Sequence, residues 1–160
     1  MDTEHAGLSA TAELLLYEAA RAQLVEERIG PWLTAGKVVV CDRFADSTTA
    51  YQGAGRGLDP ETVAKVHAIA TRGTWPDLTV VIDVPVEVGF ARIAGRQRRD
   101  RLEQESVAFH ERVREGFLRC AARDPGRVKV VEGQEPVEEV AAEIRSHVDA
   151  LLRERGLSRD

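Results

Sequence analysis

Apolar residues recur at helical spacing early in the chain. Leu14, Leu15, Ala19, Val25 and Ile29 mark one face of a helix, or of two, over residues 9–35. Ser9 or Thr11 can cap it, with Glu13 in support. Pro31 breaks or kinks it, and Gly36 ends it. Lys37 to Cys41 is a β-branched run too short for a helix, and it predicts a buried strand. A helix is predicted over 60–71 with Pro60 in its first turn. The Trp75-Pro76-Asp77 turn introduces a strand from Leu78 to Val84. Pro85 starts a helix running to about Ile93. Gly95 to Arg101 reads as a polar, basic loop, Ser106 to Arg123 as a helix and Arg127 to Val131 as a short strand. A last helix runs from Pro136 to about Arg155, and the tail 156–160 should fray. Strands alternating with helices predict an α/β fold, a parallel sheet covered by helices on both faces. No repeat, low-complexity run or interdomain linker interrupts it, so 1–160 reads as a single domain.

Composition narrows the function classes. A chain of 160 residues is long enough for a real core. The net charge of −5 argues against a general nucleic-acid binder, though local basic clusters remain possible. Cys41 and Cys120 lie far apart with no metal-ligand spacing; Cys41 reads as a buried strand thiol. No apolar run approaches a membrane span, and the start Met1-Asp2-Thr3-Glu4-His5 is not a signal peptide, so the expected place is the cytoplasm with no membrane partner. Lysine occurs only at 37, 65 and 129, so arginine supplies most of the positive charge. A GC-rich genome explains that, and so does Arg-based phosphate recognition.

Three groups carry candidate chemistry. Asp42-Arg43 ends the expected strand Lys37–Cys41 and leads into a polar, Gly-rich loop holding Ser47, Thr48, Tyr51, Gln52, Gly53, Gly55 and Gly57. Ligands of open parallel sheets bind beyond strand carboxyl ends, so this reads as an anion site; an Asp-Arg pair taken alone is more often a strand-end ion pair, and the polar Gly-rich residues that follow shift the balance. Tyr17 and Arg21 are four apart and share a helix face. Together they can stack on a base and bond its edge, or else form a core tyrosine covered by an arginine. Arg92, Arg96, Arg98, Arg99 and Arg101 suggest a cationic lid over about 92–103, or a solvated stretch pairing with Glu103 and Glu105. The cluster lacks the interleaved aromatics of a single-strand binder. His5, His67, His110 and His147 read most simply as surface residues.

Laid out in order, these residues resemble the thymidylate kinases. The family's Glu-Leu-Leu-Leu-aromatic-x-Ala-x-Arg helix is matched by Glu13 to Arg21, and its Asp-Arg-aromatic by Asp42-Arg43-Phe44. Its Ser-x-x-Ala-Tyr-Gln-Gly-x-Gly-Arg-Gly is matched by Ser47 to Gly57, and Pro-Asp-Leu-Thr before a strand ending in Asp by Pro76 to Asp83. Asp100-Arg101-Leu102-Glu103 and Phe109 to Leu118 complete the likeness, which covers nearly the whole chain. The resemblance implies a P-loop NTPase-like, nucleoside monophosphate kinase fold and transfer of phosphate from ATP to dTMP, with Mg²⁺, in a homodimer. It implies that Tyr17 stacks on thymine and that Arg21, Thr48 and Gln52 read its edge beside Ser47. It further implies that Tyr51 lies under the deoxyribose, that Arg43 holds the acceptor phosphate and that Asp42 lies near the phosphates and Mg²⁺. By the same resemblance Arg96, or else Arg101, is the catalytic lid arginine, and Arg92, Gly133 and Gln134 border the adenine.

The family's Gly-x-x-x-x-Gly-Lys-Ser/Thr loop, which cradles the donor phosphates, occurs nowhere in these 160 residues. In the family its strand lies at the centre of a five-stranded sheet, between the strands matching Lys37–Cys41 and Leu78–Val84. Without it, buried sheet edges are left unpaired at roughly 1–3 kcal/mol per group. The expectation is therefore an N-terminally truncated chain, lacking the N-terminal strands, altered in packing and inactive alone. The alternatives are a non-catalytic dTMP-binding or dimerising paralogue, another deoxynucleotide kinase, or an Arg-cluster nucleic-acid binder with steeply salt-dependent affinity.

Overall fold

The computed structural model describes residues 7–94 and 101–157. They form two compact units: residues 7–75 with 101–117, and residues 76–94 with 118–157.

The first unit opens with α1 (Ala10–Leu24), capped by Ser9, whose hydroxyl accepts from the Ala12 N–H at 3.2 Å. At Val25–Ile29 the helix widens into a π-helical turn before α2 (Gly30–Thr34). Pro31 sits at the start of α2. It has no N–H to donate, and the widened turn absorbs the break expected of it. The short α3 (Ala45–Thr48) runs directly into a second π-helical stretch, Thr49–Gly55. The Gly-rich segment is thus helical rather than a loop. Its alanines face a partner helix: Ala50 packs with Phe109 and Val113 of α6 (Val107–Arg123), flanked by Tyr51, Leu102 and Phe117. The approach requires glycine on both sides. A Cβ at Gly55 would lie 2.7 Å from the Phe109 ring, and one at Gly116 only 2.9 Å from Ala50 Cα. Arg112 of α6 locks the contact by donating from Nε and Nη2 to the Gly55 carbonyl at 3.1 and 2.9 Å. α4 (Pro60–Thr71) starts at Asp59, whose carboxylate accepts from the Thr62 N–H, and it packs on α1.

The expected strand Lys37–Cys41 is not formed. No strand among the described residues pairs with it. Val40 is 94 % exposed, and Cys41 is exposed rather than buried. β-branched residues favour a strand only where a neighbouring strand takes up the backbone N–H and C=O groups.

In the second unit β1 (Thr79–Asp83) and β2 (Val128–Glu132) pair in parallel, in register from Thr79 with Val128 to Asp83 with Glu132. Val81, Val128 and Val131 are buried. α5 (Val86–Ile93) follows β1, and α7 (Val137–Glu154) follows β2 and packs against it. The α/β class and the parallel pairing match the sequence pattern.

Candidate active site

The buried face of α1 is polar in the middle. Leu14, Val25 and Ile29 are core residues, yet Glu13, Glu18 and Arg21 are buried with them. Spacing explains this: 14, 18, 21 and 25 lie on one side of a helix. Leu15 and Ala19, expected on the buried stripe, are exposed.

Arg21 is held on three sides. Its Nη1 pairs with Glu18 Oε1, its Nη2 donates to the Phe44 carbonyl at 3.0 Å, and its guanidinium lies 5.2 Å from the Phe44 ring centroid. Glu18 Oε1 also lies 3.0 Å from His67 Nδ1. That contact is at ion-pair distance only, since His67 Nδ1 has no hydrogen-bond partner. His67 Nε2 is 3.1 Å from Thr49 Oγ1. His67 is 3 % exposed, so the surface placement expected for it is wrong: it stands on the face of α4 turned to α1. Burial alone raises the Glu18 pKa, but His67 and Arg21 outweigh it and hold the carboxyl below its ordinary value. His110 and His147 are half-buried rather than fully at the surface, and His5 lies outside the described residues.

Glu13 is the second buried carboxylate, 0 % exposed. Its Oε1 accepts from Gln52 Nε2 at 2.7 Å and from Arg56 Nε at 3.3 Å. Its Oε2 accepts from Arg56 Nη2 at 3.1 Å and pairs with Arg101. Arg56 reaches on to Glu105 at 2.6 Å and lies over the Phe109 ring. Burial raises the Glu13 pKa; Arg56, Gln52 and Arg101 more than reverse that and lower it.

Arg43 belongs to the same unit. Its φ is 66°, a left-handed conformation that residues with a Cβ rarely adopt. Its guanidinium lies 4.8 Å from the Tyr51 ring centroid. Asp42 is exposed, and Asp42-Arg43 stands in a loop rather than at a strand end. Tyr17 and Ser47 are half-buried; Thr48 and Gln52 are buried. The first unit therefore gathers Tyr17, Arg21, Asp42, Arg43, Ser47, Thr48, Tyr51, Gln52 and Arg101. In the second unit, exposed Arg92 donates from Nη2 to the Gly133 carbonyl at 2.9 Å, and the Gln134 N–H donates to Glu132. Arg96, Arg98 and Arg99 lie outside the described residues, as do residues 95–100 of the expected lid and residues 158–160 of the tail.

Sequence reasoning missed Glu18, His67 and the central place of Glu13. The helical spacing of Glu18 and Arg21 with Leu14 and Val25 was the available signal.

Among the described residues no three carboxylate, histidine or cysteine side chains cluster as a metal site, and no helix is long and apolar enough to cross a membrane. A thymidylate kinase family model matches residues 2–144. The thymidylate kinase of Geotalea uraniireducens (strain Rf4) is 49 % identical, over 96 % of this chain and 75 % of its own. That of Desulfovibrio desulfuricans (strain ATCC 27774 / DSM 6949 / MB) is 45 % identical, over 100 % and 77 %. That of Geobacter sulfurreducens (strain ATCC 51573 / DSM 12127 / PCA) is 48 % identical, over 95 % and 73 %. A buried arginine, a strained Asp-Arg corner and matches of this extent agree: the chain belongs to the thymidylate kinase family of phosphotransferases.

Proposed function

We propose that this chain carries the acceptor site for ATP-dependent phosphorylation of dTMP to dTDP. The observation that supports it best is the fixed guanidinium of Arg21 on the same helix face as Tyr17, in one compact unit with Arg43 and Tyr51. Tyr17 stacks on thymine, while Arg21, Thr48 and Gln52, beside Ser47, read its edge. Tyr51 lies under the deoxyribose, and Arg43 takes the phosphate.

The chemistry needs cations more than a base. A phosphate monoester has a second pKa of about 6 and is already an anion at neutral pH. The barrier lies in bringing two polyanions together, so arginines that neutralise charge in the transition state are the catalytic parts. Arg43 serves on the acceptor side and Arg96 from the lid. Arg101 is committed to Glu13, which favours Arg96 for the chemistry. Asp42, an exposed single carboxylate, suits Mg²⁺, which keeps most of its waters and rides on nucleotide phosphates. When bound, Mg²⁺ supplies charge neutralisation at the transferring phosphate. Arg92, Gly133 and Gln134 border the adenine. The resemblance extends to a cytoplasmic homodimer acting on dTMP and ATP, with no nucleic-acid or membrane partner. Leu15, Leu16 and Leu24 are exposed on α1 and offer apolar surface for pairing helices.

These 160 residues hold no Gly-x-x-x-x-Gly-Lys-Ser/Thr. We propose that they bind dTMP better than they phosphorylate it. A coupled ADP-release assay on the 160-residue chain tests this. The expected turnover with dTMP is at least 100-fold below that of the Geotalea relative assayed alongside, with dTMP bound all the same. Turnover equal to the relative's contradicts the proposal.

A further inference from the structure

We infer that Glu18 and His67 are positioning residues for Arg21, setting its guanidinium through the line Thr49, His67, Glu18, Arg21, buried from His67 to Arg21. The inference rests on the acceptor-site reading above and goes beyond it. Neither residue belongs to the Glu-Leu-Leu-Leu-aromatic-x-Ala-x-Arg pattern, whose sixth position is open to any residue.

An arginine that reads a base edge must hold one rotamer, and its flexible stem works against that. Here the Phe44 carbonyl and ring fix one side of the guanidinium, and Glu18 Oε1 fixes the other. A guanidinium has five N–H donors; these contacts use part of the set and leave donors for a ligand. Glu18 needs an anchor of its own, because its Oε2 is buried without a hydrogen-bond partner. His67 stands against it at ion-pair distance, its Nδ1 3.0 Å from Oε1 and without a hydrogen-bond partner, while its Nε2 is met by Thr49 at 3.1 Å. Thr49 opens the π-helical stretch that carries Tyr51 and Gln52. One line of side chains, half-buried at Thr49, thus joins the helix bearing Tyr17 and Arg21 to the segment bearing the other base-side residues. A charge pair at a site where apolar side chains pack as well contributes little net stability. Its place inside the α1–α4 contact points to a hold on Arg21.

The test is calorimetric titration of the full 160-residue chain with dTMP and, separately, ATP. Wild-type binding of dTMP is read first. No binding overturns the acceptor-site reading and this inference with it; binding leaves the inference to the variants. Glu18→Gln is expected to weaken dTMP five- to tenfold and to change ATP affinity less than twofold. In an Arg21→Ala background the same change is expected to cost nothing further, because Glu18 acts only through Arg21. His67→Ala is expected to weaken dTMP similarly. His67→Asn, whose Nδ2 can stand where Nδ1 stood, is expected to restore most of the affinity; His67→Gln, which keeps only the Thr49 side, is not. If Glu18→Gln fails to fold by circular dichroism, the three His67 variants decide. Unchanged dTMP affinity, equal losses with and without Arg21, or His67→Asn no better than His67→Ala would overturn the inference.

Discussion

Glu13 and Glu18 are both buried carboxylates of α1, five residues apart, and they are used differently. Glu13 takes donors on both oxygens from three side chains, Gln52, Arg56 and Arg101. Glu18 takes its partners on Oε1 alone and leaves Oε2 buried and unmatched. A fully matched buried carboxylate fastens structure, because removing it strands several partners at once. A half-matched one contributes less stability, so its place in the core points to the group it aims. Glu13 therefore fastens α1 to the π-helical stretch and to the segment at Arg101. Glu18 aims Arg21.

The largest effect that sharpens this contrast is on stability. Glu13→Ala is expected to cost about 3 kcal/mol in urea denaturation, the scale for breaking a buried ion pair from one side. A loss under about 1 kcal/mol would put Glu13 on the same footing as Glu18. Glu18→Gln reverses the ranking: it costs dTMP affinity, as set out above, with a smaller loss of stability. Smallest is the pH effect. Both carboxyls are held below their ordinary value in the fold. Their contributions are complete above the ordinary glutamate value of about 4.3 and are lost as pH falls through the lowered folded values. The melting temperature of the wild type should thus drop more steeply between pH 5 and pH 3 (about the range in which carboxylates titrate) than that of Glu13→Gln or Glu18→Gln. Parallel curves would remove the two carboxylates from the acid response.

Two apolar runs show what was legible in the sequence. Leu78–Val84 and Lys37–Cys41 look alike as strings of β-branched residues. The first contains β1, with Val81 8 % exposed against β2; the second forms no strand, and its Val40 is 94 % exposed. A strand is a property of a pair, and sequence shows one member only. Helices were legible to within a residue at α4 and α6, where Pro60 and the apolar spacing decide locally. The Ser47–Gly57 segment reads as a loop because glycine, judged locally, is a turn residue. Its role at Gly55 is to admit Phe109, a tertiary fact. Of the proposed site, Tyr17, Arg21, Arg43, Tyr51 and Gln52 can be named from family motifs, and all five fall in the first unit. Glu18 and His67 cannot, because a charged residue at a core position carries no sign of its partner 49 residues away in sequence.

The central claim is an acceptor site for a thymidine monophosphate. Calorimetric titration of the wild-type chain with dTMP and with thymidine, repeated on Arg43→Ala, tests it most directly. The expected result is dTMP binding at least tenfold tighter than thymidine, a preference that disappears in Arg43→Ala. Equal affinity of the wild type for the two ligands, or a preference that survives loss of Arg43, would contradict it.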